Sequence, residues 1–403
     1  MQRRAFLYLT MTAALVAAPA HAQLGRAVDP LGNAIGRVGD AVRDIGAPAL
    51  EPLGEALRDV RTMARERLQR LDRFVSRNGD RVEWDERRQP AVRGEVLLLD
   101  PDQAAIDVAA RKGYVVREQG TLEGLGVRYA RLGVPSGAVL GKAVEDLRKA
   151  LPGHEITADQ LHFPSGTATG QAVRAPASTA LPRGGTVGVI DGDIAGSGRL
   201  VARRSFAAGT KPSEHASAIA SLLAGAGTAR IYGADVYGDD PAGGNALAIA
   251  KALGWMQGQG VPVVSISLVG PANPLLSRAV AAAQGKGMVI VAAVGNDGAA
   301  SPPAYPASYP GVVAVTGIDG AGRVLIEAGR ASHLDYAAPG SDLSALVPGR
   351  GRVSLRGTSY AAPLAASRIA ARGQVMKSVD AEALKGTRHT GRGVLCNICR
   401  SGL

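Results

Sequence analysis

The sequence predicts an α/β protein built on a parallel sheet with helices on both faces, preceded by a small α+β unit. Three observations carry that expectation. Between residues 184 and 380, strands expected over 186–191, 230–237, 262–268, 288–294 and 312–316 alternate with helices over 215–224, 245–257, 274–284 and 359–371. Short apolar strands in such alternation need cover on both faces. Upstream, residues 94–163 follow the order strand, helix, strand, strand, helix, strand. Finally, Asp191 and Asn296 stand at the carboxyl ends of predicted strands, where open α/β sheets bind ligands.

Taken in order, the chain opens on Arg3 and Arg4, an apolar stretch over 5–20 and the small-residue site Ala20, His21, Ala22. This pattern reads as an export signal over 1–22, placing the mature chain in the periplasm or outside the cell. The Arg3–Leu7 segment resembles a twin-arginine signal, although ordinary secretion is the expectation. No other apolar run reaches the roughly 18 residues of a membrane span, so no integral membrane segment is expected after signal removal. Residues 23–93 form a charged helical extension, in which DAVRDI at 40–45 is echoed by EALRDV at 55–60. A pair of amphipathic helices follows, with a break near Pro48 and Pro52. Their apolar stripe either packs on a core or contacts a partner or the envelope.

Within the α+β unit, strands are expected over 95–99, 114–116, 127–132 and 155–157, with helices over 102–112 and 138–151. That order is ferredoxin-like. The tail ADQLHF at 158–163 leads into residues 165–183, whose small residues and prolines read as an exposed linker with a processing site. Residues 184–380 hold the main sheet and 381–403 a tail with both cysteines, Cys396 and Cys399. In an oxidising compartment these form a local disulfide, since zinc would need two more ligands. No metal or cofactor is expected.

Composition narrows the class. The 403 residues carry 46% apolar side chains, which excludes a disordered chain and suits two or three domains. The net charge of +11 comes with only 4% aromatic residues and no recognised binding motif, so no nucleic-acid partner is expected.

Four segments carry chemistry: TVGVIDGD at 186–193, EHAS at 214–217, AAVGNDG at 292–298 and GTSYAAP at 357–363. A hydroxyl is a poor nucleophile at neutral pH. It needs an imidazole to take its proton, and the imidazole needs a carboxylate to set its tautomer. Ser359, His215 and Asp191 supply these groups. Ser359 starts a helix whose free N–H groups and dipole favour a developing oxyanion, with Asn296 as a second donor. Pro363 is expected in that helix's first turn, where a missing N–H is tolerated. Each residue alone has a plain structural role as a cap or turn former; four segments in this order favour catalysis.

The order Asp, His, Ser resembles the subtilisin-like serine proteases over residues 184–372. The resemblance implies a parallel-sheet fold with an inhibitor-like propeptide at 94–164 acting as an intramolecular inhibitor. It implies peptide-bond hydrolysis of a polypeptide substrate through an acyl-enzyme, with Asp191, His215 and Ser359 as triad and Asn296 in the oxyanion hole. The VSISLVGP segment at 264–271 is similar to the family's substrate strand. Ser267, Leu268, Val269 and Gly295 are then substrate-binding, and Val269, where the family often has Gly, favours small or medium apolar side chains before the cut bond. Two departures stand out. Asp193 adds charge beside the imidazole if it points inward, and Ala216 adds a methyl where a close approach to the Asp191 strand is expected. They keep open an alternative, a catalytically impaired subtilisin-like domain serving as a binding or chaperone-like module. An esterase-type hydrolase is disfavoured because no Gly-x-Ser-x-Gly elbow surrounds Ser359.

Overall fold

The computed structural model describes residues 51–171 and 181–402. The chain divides into the units Met1–Leu57 and Arg58–Leu403. The expected signal, the first of the two amphipathic helices and residues 172–180 of the expected linker lie outside the described residues. The second helix of the pair is α1 (Glu51–Arg77). Pro52 is its second residue, a position where the missing N–H is an orphan anyway.

The α+β unit contains β1 (Val82–Trp84), β2 (Pro90–Leu99), α2 (Gln103–Arg111), β3 (Val115–Thr121), β4 (Arg128–Gly133), α3 (Leu140–Ala150) and β5 (Ile156–Gln160). All pairings are antiparallel: β3 with β4, β4 with β2, β2 with β5, and β1 with β2. The arrangement is the ferredoxin-like one. Strand β2 starts at Pro90, ahead of the expected boundary at 94, because its first residues pair with β1. One sheet face packs on α2 and α3 through Val96, Leu98, Leu132, Val144 and Leu147. The alternate residues Leu97, Leu99 and Tyr129 join a second core containing Leu253 and Trp255, as the two-residue period of a strand requires.

Two short strands follow, β6 (Phe163–Pro164) and β7 (Thr167–Gln171). The main sheet then runs through β8 (Thr186–Asp191), β9 (Leu200–Ser205), α4 (Glu214–Gly225), β10 (Arg230–Asp235), α5 (Ala246–Gly258), β11 (Val263–Ile266), β12 (Leu268–Val269), α6 (Pro274–Gly285), β13 (Val289–Ala293) and β14 (Val313–Ile318). After these come β15 (Tyr336–Pro339), β16 (Leu343–Val347), β17 (Gly351–Arg356), α7 (Thr358–Ala371), α8 (Met376–Glu382), β18 (Leu384–Lys385) and β19 (Gly393–Val394). Nine strands pair in the order β18, β19, β15, β14, β13, β11, β8, β10, β9. All neighbours are parallel except β18 and β19. One face packs on α5 and α6, the other on α4 and α7.

Two boundaries differ from expectation. Residues 393–394 pair with β15, so the C-terminal segment is part of the main sheet; Cys396 and Cys399 form a disulfide just beyond. Residues 167–171, expected in a linker, form an outer strand on β17. Neither pairing has a local signature, because each depends on a partner far along the chain.

Candidate active site

Three element ends converge. Asp191 closes β8 and is 1% exposed. Ser213 caps α4 by accepting the Ala216 N–H at 3.1 Å, which sets His215 in the helix's first turn. Gly357 precedes α7, and a side chain there would meet Asn296 Nδ2 and Gly166 Cα at 2.7 Å; its φ of 138° also favours Gly.

His215 Nδ1 lies 2.9 and 3.0 Å from the two Asp191 carboxylate oxygens, and its Nε2 lies 3.0 Å from Ser359 Oγ. An ionised carboxylate only accepts, so Nδ1 carries the proton and Nε2 is left to accept from the hydroxyl. Asp191 also accepts the Gly192 N–H at 2.8 Å, which helps satisfy a buried charge. The sequence-predicted Asp191, His215 and Ser359 are therefore brought into one hydrogen-bonded chain.

Helix α7 has no side-chain cap of its own. Its first N–H groups find partners elsewhere: Thr358 N donates to Asn296 Oδ1 at 3.0 Å, and Ser359 N donates to the Ser165 carbonyl at 3.2 Å. Thr358 Oγ1 donates to the Gly295 carbonyl at 3.1 Å, tying the 295–296 loop to the helix from the other side. The sequence reading missed Thr358, although its place between Gly357 and Ser359 was the available signal. Asn296 Oδ1 is thereby engaged, which directs its Nδ2 away from Thr358.

Pro363 corrects another expectation. It is the sixth residue of α7, beyond the first turn. Its missing N–H would have bonded to the Ser359 carbonyl, four residues back. That carbonyl instead accepts from Ser267 Oγ at 2.7 Å. Ser267 thus supports the helix start through its side chain, while its backbone carbonyl accepts the Ser165 N–H.

Both departures noted in the sequence have structural answers. Asp193 does not point inward as a free charge: Arg203 Nη1 sits 3.1 Å from each of its oxygens. The tight approach falls at Gly192, where a Cβ would lie 2.5 Å from Ser213 Cβ, rather than at Ala216. Ser217 Oγ accepts the Ala195 N–H at 3.1 Å and ties the 192–195 loop to α4.

The cleft holds the chain's own 163–166 segment. Strand β6 pairs antiparallel with β12, with Pro164 opposite Leu268 and Phe163 opposite Val269. Ser165 N donates to the Ser267 carbonyl at 3.4 Å. A Cβ at Gly166 would collide with Ser359 Oγ. The Ser165–Gly166 peptide thus lies directly against the candidate nucleophile. Ser165 is 8% exposed, and its Oγ has no hydrogen-bond partner. Beside it Val269 fills space toward Gly295, where a Cβ would lie 3.2 Å from Val269 Cγ2.

The α+β unit seats this tail through the ends of two helices. Asp159 accepts the Leu247 N–H at 3.0 Å, and Asn273 Nδ2 donates to the Ala158 carbonyl at 3.1 Å and to Gln160 Oε1 at 2.6 Å. Burial pushes the Asp159 carboxyl up to about 7 and the His162 imidazole down to about 4. Neither His162 nitrogen has a side-chain partner.

Comparison with known proteins agrees with this architecture. Residues 202–394 match the model of the Subtilase family. The chain is 30% identical over 198 residues to subtilisin DY of Bacillus licheniformis, spanning 44% of this chain and 72% of that protein. Subtilisin BL of Lederbergia lenta is 36% identical over 143 residues, or 35% of this chain and 52% of that protein. The chain therefore spans about half the length of relatives such as this one. Among solved structures, fervidolysin from Fervidobacterium pennivorans, a keratinolytic enzyme related to subtilisin, superposes with a TM-score of 0.62 at 18% identity, over 76% of this chain and 60% of that one; at this identity the likeness speaks for the fold. With the Asp191, His215 and Ser359 geometry set in that fold, the chain belongs to the subtilase family.

Proposed function

We propose that this protein is an exported serine endopeptidase, with residues 94–164 as its intramolecular inhibitory propeptide. The observation that carries the proposal is His215 bridging Asp191 and Ser359 at 2.9 and 3.0 Å beside the Ser165–Gly166 peptide. In the acylation step, Ser359 Oγ attacks the carbonyl carbon as His215 Nε2 takes its proton, and Asp191 stabilises the resulting imidazolium. The oxyanion gains the Ser359 N–H and the Asn296 amide, donors whose value lies in charge present only in the tetrahedral state. His215 then protonates the leaving amine, and water deacylates the enzyme by the same base.

The first peptide cut is the chain's own Ser165–Gly166 bond. Its geometry matches a bound substrate: an extended strand on β12, with the carbonyl at the start of α7. The occupant also indicates the substrate class. Ser267, Leu268, Val269 and Gly295 line the position of the residue before the cut bond, and Val269 restricts it to small side chains such as Ser or Ala.

Fluorophosphonate labelling of the purified full chain and of Ser359→Ala, followed by intact mass, tests the proposal. Labelling lost in the variant, with wild-type fragments ending at Ser165, is the expected result. An unlabelled, uncut wild type would overturn it in favour of a binding module.

A further inference from the structure

Helix α1 lies outside the ferredoxin-like unit, yet its Arg58–Arg77 portion reaches both the 296–298 loop of the cleft and the segment that fills it. Arg67 Nε is 3.0 Å from Asp297 Oδ2, and Arg70 pairs with the other oxygen of the same carboxylate. Asp297 adjoins Asn296, and one residue further on Met63 packs against Gly298, where a Cβ would lie 2.8 Å from its Sδ. On the segment in the cleft, Phe74 meets the Phe163 ring edge-on with centroids 5.1 Å apart. Val75 joins Val82, Leu161 and Ala242 in a small core of its own. Between these anchors, a cavity of about 590 Å³ is lined by Arg67, Phe74, Phe163, Gly166, Asn296 and Asp297.

We propose that α1 is a second inhibitory element, a strap that holds the cut tail in the cleft after the Ser165–Gly166 bond is broken. The proposal rests on the protease reading above and adds a step to it. Strand β6 itself offers only a two-residue pairing with β12, and the seat of the α+β unit lies upstream of it at residues 158–160, so residues 163–165 are the part of the tail that a further contact would hold once covalent continuity is lost. The helix stays attached to the amino-terminal fragment, so its grip on the Asp297 loop and on Phe163 persists after the cut. A new substrate needs the same strand edge and the same loop. Cleavage and activity are thereby separated in time, and α1 sets the interval.

The test uses the full chain carrying Arg67→Gln, Arg70→Gln and Phe74→Ala together. Intact mass follows cleavage at Ser165, and hydrolysis of a small-side-chain peptide follows activity, each at low and high salt. Cleavage in the variant is expected within about twofold of wild type, while the delay from cleavage to activity shortens roughly tenfold, the combined worth of a partly exposed ion-pair cluster and one aromatic contact. High salt shortens the wild-type delay by a larger factor than that of the variant, which keeps the Arg81–Asp240 and Arg278–Asp100 pairs but has lost those at Asp297. An unaltered delay overturns the strap. So does a variant that no longer cuts itself, since the helix then serves assembly of the site. A wild type that neither cuts nor takes a fluorophosphonate overturns the protease reading itself, and the strap with it.

Discussion

The carbonyl oxygen of Ser165 accepts the backbone N–H of Ser359 at 3.2 Å. A helix start that lacks its own cap is completed by the residue before the proposed scissile peptide, so under the proposed function inhibitor and substrate are the same segment. The consequences can be measured.

Ser359→Ala removes the proposed nucleophile, and Asp191→Asn is expected to leave His215 in the wrong tautomer. Losses on the order of 10⁴-fold or more in self-cleavage are expected for both, with the fold intact. Intact mass against time reads the rate, and circular dichroism the fold. A cleavage rate unchanged by Asp191→Asn would remove Asp191 from the proposed triad.

Ser165→Leu places a branched side chain against Val269, the residue packed toward Gly295. Overpacking of this kind costs about 1–3 kcal/mol, which corresponds to a roughly 5- to 150-fold slower cut at this bond. Adding Val269→Gly in the same chain reopens the space and restores the rate. Ser165→Ala, by contrast, removes a buried hydroxyl that has no partner, and is expected to cut at least as fast as wild type. If Ser165→Leu cuts normally, the narrow-subsite assignment is wrong.

Ser267→Ala strips the Ser359 carbonyl of the hydroxyl that stands in for the N–H missing at Pro363. An unpaired buried acceptor costs about 1–3 kcal/mol, so the melting temperature falls. Reinstating the helical bond by Pro363→Ala in the Ser267→Ala background recovers part of the loss. No recovery would mean that Ser267 acts elsewhere.

Docking of the α+β unit depends on pH through Asp159. Its carboxyl is pushed up to about 7 by burial in the docked state, and on release it titrates in the ordinary carboxylate range. The docking stability linked to it is therefore full below that range and is lost as pH rises through about 7. His162, pushed down to about 4, acts in the opposite sense: its contribution is full above the ordinary imidazole range and is lost as pH falls from there through about 4. Asp159→Asn preserves an acceptor for the Leu247 N–H and removes the first dependence. Release of the cut fragment from this variant is expected to be slower than wild type near pH 8 and indistinguishable near pH 4. Equal release from the two proteins near pH 8 would exclude the Asp159 contribution.

Local chemistry made much of this molecule legible in its sequence. Short apolar runs alternating with helical stretches identified β8, β10, β11, β13 and β14. The helices expected over 102–112, 245–257 and 274–284 start within a residue or two of α2, α5 and α6, which Asp102, Asn245 and Asn273 cap. Asp191, His215, Asn296 and Ser359 were found by residue type, order and position at element ends, all properties of short segments. What only the tertiary structure decided is which distant groups meet. No periodicity announces that Arg203 holds Asp193, that residues 393–394 extend the main sheet, that Ser267 replaces the hydrogen bond absent at Pro363, or that α1 reaches Asp297 and Phe163. The Ser165–Gly166 bond is the clearest case. Its neighbourhood reads as a linker of small residues with a processing site somewhere within 165–183, and only the docking of the α+β unit on α5 and α6 sets the register that delivers this bond, rather than another, to Ser359. Local propensities act over a few residues, whereas pairing across the cleft is selected by burial and hydrogen-bond satisfaction summed over the whole fold.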